Sequence, residues 1–466
     1  MLAAGTGMSS APKGSDDGGA PGDFVHLAER SFFSGATTSA MYSGLFSASA
    51  GLSVRCRIPA RYSTVLIARR PLIDIMDPSR ALSSPHVPPP HHVYVHVPFC
   101  KRRCSYCDFA IAVRKDIPGD RFVRAIETEF ELRQTNHAVQ RLETLYLGGG
   151  TPSLLSRNQL DQLIGLFRAE LRFATAEPEV TIEANPDDVS PTAVDDWLAL
   201  GINRVSLGVQ SLNPAVLQWM HRPHRAEDGP SAVRVLKDAG MPSVSVDVIF
   251  GLPRSLGSDP VGDVQRLLEH GPDHVSAYGL TVEPRTPLSR WINRGAVEAP
   301  DESGYADEFL QLHDLLDREG FEHYEISNYA LAGRRSRHNQ AYWKRKAYLG
   351  LGPSAHSFVA GVRRWNIRDW AKYDRAVLAE QDPRAGEERL SEDQDRLERL
   401  YLGLRTAEGA DFTEQRGAHP PPAPLLHSMV EQGWLTLDGH TARATLEGWL
   451  RLDSLVAALT TSVEGG

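Results

Sequence analysis

The sequence predicts an α/β fold: a partial (β/α)6 barrel of parallel strands, followed by a helical, winged-helix-like C-terminal module. Three observations carry this. Six short apolar runs between Val93 and Leu280 each end in glycine, proline or a polar cluster. Stretches with helical apolar spacing separate them, and strands alternating with helices imply a parallel sheet covered by helices. Late in the chain, Asp438-Gly439 sits between alternating apolar residues, a strong hairpin signal.

Taken in order, the strand candidates are Val93–Val97, Thr144–Leu147, Glu179–Glu183, Arg204–Val209, Val244–Phe250 and His274–Leu280. The helices between them are read at Arg121–Arg133, Gln159–Leu171, Ala193–Leu200, Ala232–Ala239 and Asp263–His270. The last part has a different texture. Helices at Asp393–Arg405 and Pro424–Gln432 precede the hairpin, and a final helix covers Leu446–Leu459. The expected division is an N-terminal extension and linker over 1–90, the barrel over 91–330, a connecting segment over 331–368, and the C-terminal module over 369–466.

At 466 residues the chain exceeds the roughly 250–300 at which one core stops growing, so more than one domain is expected. A net charge of −9 argues against a general nucleic-acid surface. The acidic run Glu387–Glu398 argues likewise for the C-terminal module, which reads as a lid or docking surface. No run of 18 apolar residues occurs, so no membrane-spanning helix is expected. Four cysteines, three of them clustered, suit a reducing compartment rather than a disulfide scaffold.

Before Val93 the composition is unlike a fold. Phe24–Ile75 holds six Arg, no Lys and two acids, which suits an organellar transit peptide. Asp16, Asp17 and Asp23 spoil that pattern, and a start at Met76 is the favoured reading, with a cytoplasmic location. Ser83–His92 holds four prolines and reads as an extended linker with His86, His91 and His92 solvated. Cys56 reads as incidental.

The densest chemistry lies in Tyr94-Val-His-Val-Pro-Phe-Cys100-Lys-Arg-Arg-Cys104-Ser-Tyr-Cys107-Asp-Phe109. Three cysteines within eight residues put three thiolates on one loop, where a soft metal centre can take all of them. Structural zinc would want a fourth ligand nearby. A [4Fe–4S] cluster held by three cysteines leaves one iron open. Packing as small hydrophobes is a poor alternative in a loop that also holds Lys101, Arg102 and Arg103.

Other signals fall at strand ends, where barrels of this kind place their chemistry. Gly148-Gly149-Gly150-Thr151-Pro152 follows a strand, and such glycines either let backbone approach a ligand or make a plain tight turn. Glu183 and Gln210 stand at strand ends. Asp247 interrupts an apolar run, which is costly unless it faces a polar cavity or an ionic partner. Arg337-His-Asn-Gln-Ala-Tyr-Trp343 offers an imidazole beside two flat rings, although His338 by itself reads equally as a hydrogen-bonded structural histidine.

The Cys-x3-Cys-x2-Cys spacing, with Tyr106 before the last cysteine, resembles the radical S-adenosylmethionine (SAM) signature. The flanking Tyr94–Phe99 segment is similar to the anaerobic coproporphyrinogen III oxidase group, and within it to the HemW-type haem chaperones. The resemblance runs from about Val93 to near the C-terminus. It implies a [4Fe–4S] cluster on Cys100, Cys104 and Cys107, with SAM chelating the open iron and cleaved to a 5′-deoxyadenosyl radical on one-electron reduction. It implies SAM contacts from Tyr94, Tyr106, Gly149, Gly150, Thr151, Glu183, Gln210, Arg222 and Asp247. It further implies haem contacts from His338, Tyr342 and Trp343, with His356 as the second candidate ligand.

One departure separates two readings. The oxidase pattern continues Cys-x-Cys after the third ligand, whereas this chain reads Cys107-Asp108-Phe109. A phenyl ring neither ligates iron nor relays a hydrogen. The first reading is therefore a haem chaperone that delivers haem to apo-haemoproteins, respiratory-chain proteins among them. The alternative is an oxygen-independent coproporphyrinogen III oxidase of porphyrin biosynthesis. The resemblance leaves enzymatic activity and a homodimer open.

Overall fold

The computed structural model describes residues 89–134, 139, 141–172, 177–300, 302–414 and 423–461. The readings made for Cys56, His86 and the N-terminal extension lie outside those residues.

Six strands form the parallel heart of the sheet: β1 (His92–Val97), β2 (Thr144–Gly149), β3 (Glu179–Ala184), β4 (Arg204–Gln210), β5 (Ser243–Phe250) and β6 (His274–Gly279). They lie side by side in chain order, each parallel to the next. Their apolar side chains are buried on both faces, which is why the runs read as continuous rather than alternating. The sequence reading of a (β/α)6 arrangement is borne out, strand for strand.

The intervening helices start where the sequence supplies caps. Ser156 and Gln159 form a reciprocal capping box at α2 (Arg157–Gly165), and Ser190 with Pro191 opens α3 (Pro191–Ala199). With α1 (Gly119–Gln134), α4 (Asp228–Asp238), α5 (Pro260–Leu268) and α6 (Glu302–Arg318), they cover the sheet and close one large apolar core. The single helix read over Gln159–Leu171 is broken into Arg157–Gly165 and Arg168–Arg172.

The sheet does not close on itself. At one edge it continues through β7 (Glu322–Glu325) and β8 (Asn328–Ala330), β8 lying antiparallel to β6. At the other, β9 (Tyr348–Leu351) runs parallel to β1, followed by antiparallel β10 (His356–Val359), β11 (Val362–Asn366) and β12 (Arg384–Arg389). Twelve strands result, in the order β12-β11-β10-β9-β1-β2-β3-β4-β5-β6-β8-β7. Residues 348–366, expected as a connector, are thus part of the sheet, and the sheet runs beyond the expected boundary at 369. Between them, α7 (Arg337–Trp343) and α8 (Trp370–Leu378) are capped by Ser336 and Asp369. A buried carboxylate anchors this extension: Glu129 of α1 accepts from the Gly352 amide (2.8 Å), the Asn366 side chain (2.6 Å) and the Tyr373 hydroxyl (2.6 Å). Three donors offset the cost of burying the carboxyl.

The His92 expectation is corrected. It is not a solvated linker residue but the buried first residue of β1, with Nδ1 3.0 Å from Thr144 Oγ1. Burial pushes its pKa down to about 4.

The C-terminal module has its own core. Helices α9 (Glu392–Arg405), α10 (Ala423–Glu431) and α11 (Leu452–Thr461) surround a three-stranded antiparallel sheet of β13 (Ala410–Asp411), β14 (Leu435–Asp438) and β15 (Thr441–Ala444). The Asp438-Gly439 hairpin is borne out, and Gly439 takes the left-handed φ of 60° that such a turn needs. The last helix is split at Leu450 into Leu446–Trp449 and Leu452–Thr461, and in the first piece Gly448 lies against the Trp434 carbonyl where no Cβ fits. The module is welded to the barrel by an ion pair, Arg405 to Glu325 at 2.9 Å, whose side chains are 2% and 0% exposed. The Arg405 guanidinium also lies over Trp343 of α7, 4.5 Å from the ring centroid. Removing one member of such a pair leaves a buried charge uncompensated. Arg405→Ala is therefore expected to lower unfolding free energy by about 3–5 kcal/mol, read as a lower urea midpoint than the parent's.

Candidate functional site

The three cysteines leave β1 through a short loop pinned at both ends. Phe99–Cys100 pairs in parallel with Ala112–Val113, and the Ser105 amide donates to the Met220 carbonyl at 3.0 Å. All three cysteines are free thiols in the described chain, and all three line one cavity at the C-terminal ends of the strands.

Their sulfurs meet donors. Thr151 Oγ1 donates to Cys100 Sγ at 3.5 Å, and Arg222 Nη1 to Cys104 Sγ at 3.6 Å. Arg222 Nη2 also donates to Asn185 Oδ1 (2.7 Å) and the Gly208 carbonyl (2.6 Å), tying the loop to the ends of β3 and β4. Burial pushes the Cys100 thiol up to about 11 and the Cys107 thiol higher still. Thiolates in that setting need positive charge beside them, which a metal centre supplies. The three sulfurs facing one cavity, with donors behind them, fit a cluster of soft irons.

The glycine turn is an approach, not a plain bend. Gly149 sits at φ 110°, and a Cβ there would come within 2.5 Å of the His96 ring. A Cβ on Gly150 would meet the Phe99 carbonyl oxygen at 2.7 Å. Both positions therefore exclude side chains, and the turn lies directly against the cysteine loop.

Two carboxylates line the cavity, one from β3 and one from β5, on either side of β4. Glu183 accepts from the Gly149 amide at 2.8 Å and from the Tyr146 hydroxyl at 3.0 Å. Its pKa is raised to about 7, by burial first and then by Asp247. Asp247 accepts from Ser206 Oγ at 2.9 and 3.1 Å and is likewise raised by burial. Neither carboxylate has a cationic partner among its hydrogen bonds, so the ionic alternative weighed for Asp247 is replaced by a polar cavity wall. Gln210 follows a bulge in β4 and takes φ 68°, a left-handed conformation uncommon for a non-glycine residue. The bulge turns its side chain into the cavity.

The structure brings together Cys100, Cys104, Tyr106, Cys107, Gly149, Gly150, Thr151, Glu183, Gln210, Arg222 and Asp247. Tyr94 is not on the wall. Its hydroxyl lies 3.0 Å from His96 Nδ1, and its ring backs Tyr146 at 5.9 Å. The Ala110 carbonyl 3.0 Å from His96 Nε2 can only accept, so Nε2 holds the proton and Nδ1 accepts from Tyr94.

The residues expected to contact haem, His338, Tyr342 and Trp343, do not line this cavity. His338 is 1% exposed, its Nδ1 lies 2.7 Å from Thr144 Oγ1, and its Nε2 lies 2.8 Å from the Tyr342 hydroxyl. Both ring nitrogens are thus engaged in hydrogen bonds. Tyr342 packs on His338 and Tyr348, and Trp343 lies under Arg405 in the joint with the C-terminal module. His356, the second candidate, stacks on Trp365 with its pKa pushed down to about 3 by burial, and lies off the cavity.

Several wall residues were not read from the sequence. Tyr146, just before the glycine turn, and Asn185, in a strand-ending Asn-Pro, carried local signals. Arg405 carried none, because it enters the cavity from the separate C-terminal module.

A barrel with three loop cysteines and a glycine turn at its mouth defines a radical SAM protein. The model of the Radical SAM superfamily matches residues 94–267. The heme chaperone HemW of Lactococcus lactis is 36% identical over 69% of this chain and 83% of its own. That of Mycobacterium tuberculosis is 34% identical over 79% and 95%. Mouse "Radical S-adenosyl methionine domain-containing protein 1, mitochondrial" is 33% identical over 79% and 86%. Among solved structures, coproporphyrinogen III oxidase (HemN) of Escherichia coli superposes with a TM-score of 0.68 at 23% identity, over 80% of this chain and 90% of that one, a likeness of fold. The chain belongs to the radical SAM superfamily and, within it, to the HemW family. No helix among the described residues is long and apolar enough to cross a membrane.

The buried environment of His338 has a measurable consequence. Its pKa is held well below 6.5 by burial, so only the unfolded chain takes up its proton as pH falls below 6.5. That part of the parent's stability is present above pH 6.5 and is lost on acidification. His338→Ala should cost about 1–3 kcal/mol at pH 7 by leaving Thr144 and Tyr342 without their partner. Between pH 6.5 and 5 that cost should shrink by about 1.4 kcal/mol per pH unit, as measured by denaturant unfolding.

Proposed function

We propose that this protein is a haem chaperone, holding a [4Fe–4S] cluster on Cys100, Cys104 and Cys107 and binding SAM beside it, that hands haem to apo-haemoproteins. The reading is supported by HemW relatives at 34–36% identity over most of their length, and by one feature of the cavity itself. Phe109 lines the wall where the oxidase pattern carries a further cysteine, and Cys100, Cys104 and Cys107 are the only cysteines among the described residues. A phenyl ring offers no thiol for hydrogen transfer, so decarboxylation of a porphyrinogen propionate lacks a participant.

When bound, the cluster supplies an open iron for SAM and a one-electron reductant. The chain's own residues do the rest. Gly149 and Gly150 bring backbone against the cofactor, Glu183 presents a carboxylate already oriented by Tyr146 and the Gly149 amide, and Thr151 and Arg222 hold the cysteine sulfurs by donation. Asp247 and Gln210 extend the same wall from β5 and β4. The recipients are apo-haemoproteins, respiratory-chain proteins among them.

The deciding experiment incubates anaerobically reconstituted protein separately with haem and with coproporphyrinogen III plus SAM. A stable, near-stoichiometric haem complex without protoporphyrinogen is expected, and multiple turnover to protoporphyrinogen would restore the oxidase. Iron and sulfide content should vanish in Cys104→Ala and survive in Cys56→Ala. For the cofactor walls, Asp247→Ala and Glu183→Gln should each weaken SAM by about ten- to a hundredfold in equilibrium binding, the cost of a lost buried partner. Parental affinity in either variant removes that residue from the site.

A further inference from the structure

The stretch that carries the cysteines also carries a charge opposite to the chain's average. From Cys100 to Lys115 it holds Lys101, Arg102, Arg103, Arg114 and Lys115 against one acid, Asp108, whereas the whole chain has a net charge of −9. All five cationic side chains are exposed. Lys101 is paired with Asp188 at 3.1 Å, and Arg114 donates to the adjacent Val113 carbonyl at 3.0 Å. Arg102, Arg103, Arg114 and Lys115 have no ion pair among the described residues.

The fold gathers these charges. Phe99–Cys100 and Ala112–Val113 are paired in parallel, with Cys100 opposite Val113, so the segments that follow leave the pair at the same end. One begins with Lys101 and the other with Arg114, whose amide donates to the Cys100 carbonyl at 3.0 Å. Arg368, also exposed, donates to the Asp108 carbonyl and adds a further cation beside the loop. Among them stands Val113, 43% exposed and one of four large apolar side chains left exposed among the described residues.

Val113, Arg114 and Lys115 do not line the cavity, so the cofactor site makes no use of them. An exposed apolar side chain ringed by unpaired cations is suited to an acidic protein partner, which the rest of this acidic surface would repel. A long polyanion such as nucleic acid fits less well, because it would run on over that same acidic surface. The position of the patch is as telling as its charge. Paired strands lie about 4.8 Å apart, so a partner covering Val113 comes within one strand spacing of the Cys100 backbone. One-electron transfer falls off steeply with distance and needs that kind of approach.

Resting on the cluster-holding function above, we propose that this face docks an acidic one-electron carrier, a small protein with a reduced flavin or iron–sulfur centre. Val113 lies at the middle of the contact, with Arg102, Arg103, Arg114 and Lys115 around it. One electron leaves the carrier's cofactor, which is oxidised by one step, and enters the cluster, which is reduced by one electron; no bond forms or breaks. The encounter is brief and steered by charge, in the class of contacts that bury less than about 1,200 Å².

The test uses an acidic flavodoxin and the full-length, cluster-reconstituted protein. Titration calorimetry reads binding of the oxidised carrier, and stopped-flow reoxidation of its hydroquinone reads electron transfer. Binding to the parent should weaken as salt rises, because exposed charges are screened beyond about 10 Å at 0.1 M ionic strength. Arg114→Glu/Lys115→Glu should weaken binding about tenfold or more and flatten its salt dependence, and Val113→Ser should weaken it several-fold with the salt dependence kept. Photoreduced deazariboflavin, a small neutral donor, should reduce the parent and both variants alike, since their clusters are intact. A parent that holds no iron and sulfide after reconstitution removes the function on which the proposal rests. A parent that holds its cluster but binds flavodoxin no more tightly than the double variant, or a double variant reduced by flavodoxin at the parental rate, overturns the docking face alone. If the double variant loses binding to vesicles of anionic lipid while keeping parental affinity for flavodoxin, the face belongs to a membrane and the proposal is likewise overturned.

Discussion

Much of the site depends on one guanidinium. Arg222 sits behind the cysteine loop and donates at once to the Cys104 sulfur, the Asn185 side chain and the Gly208 carbonyl. It adds to the Phe99–Cys100 pairing and the Ser105–Met220 hydrogen bond that also pin the loop, whose thiols pack weakly and repel as thiolates. Through Arg222 the loop is referenced to the ends of β3 and β4, the two strands that also supply Glu183 and Gln210. The three cysteines and the walls of the cavity are thereby fixed in one frame, which a soft centre would need because it must be met by all its ligands together.

The same cavity is built partly from outside the barrel. Arg405 belongs to the C-terminal module yet lines the cavity floor, held there by Glu325 and by the Trp343 ring. Glu398 of the same helix accepts from Arg345 (3.1 Å) and Arg363 (2.7 Å), so part of the acidic run serves as a buried tie rather than as a solvated face. The module is thus continuous with the site in both packing and charge. The Arg337–Trp343 helix works as the joint: its imidazole locks β2 through Thr144, and its indole receives Arg405. The aromatic residues of that segment thereby tie the sheet to the C-terminal module.

The parallel strands, the capped helices and the late hairpin were legible because each announces itself locally. Apolar runs bounded by turn residues, Ser and Asp caps, and an Asp-Gly pair need no distant partner to be recognised. The cysteine loop was legible for the same reason, its spacing being itself the chemistry. Gly149 and Gly150 were suggestive, and the His96 ring and the Phe99 carbonyl beside them supply the physical reason they must be glycine.

Other features were decided only when the chain folded. His338 offers the sequence two readings, structural histidine or ligand, and only the fold shows it buried with both ring nitrogens hydrogen-bonded. His92 read as linker because its prolines are local, whereas its pairing with Thr144 is not. The edge strands beyond β9 are short and depend on Glu129 for their place, and Arg405 reaches the cavity from a separate core. By itself the sequence determined which chemistry the chain carries, since ligand identity and spacing are covalent facts. Tertiary structure decided which residues face it, because solvent exposure and hydrogen-bond saturation arise only from contacts between segments far apart in the chain.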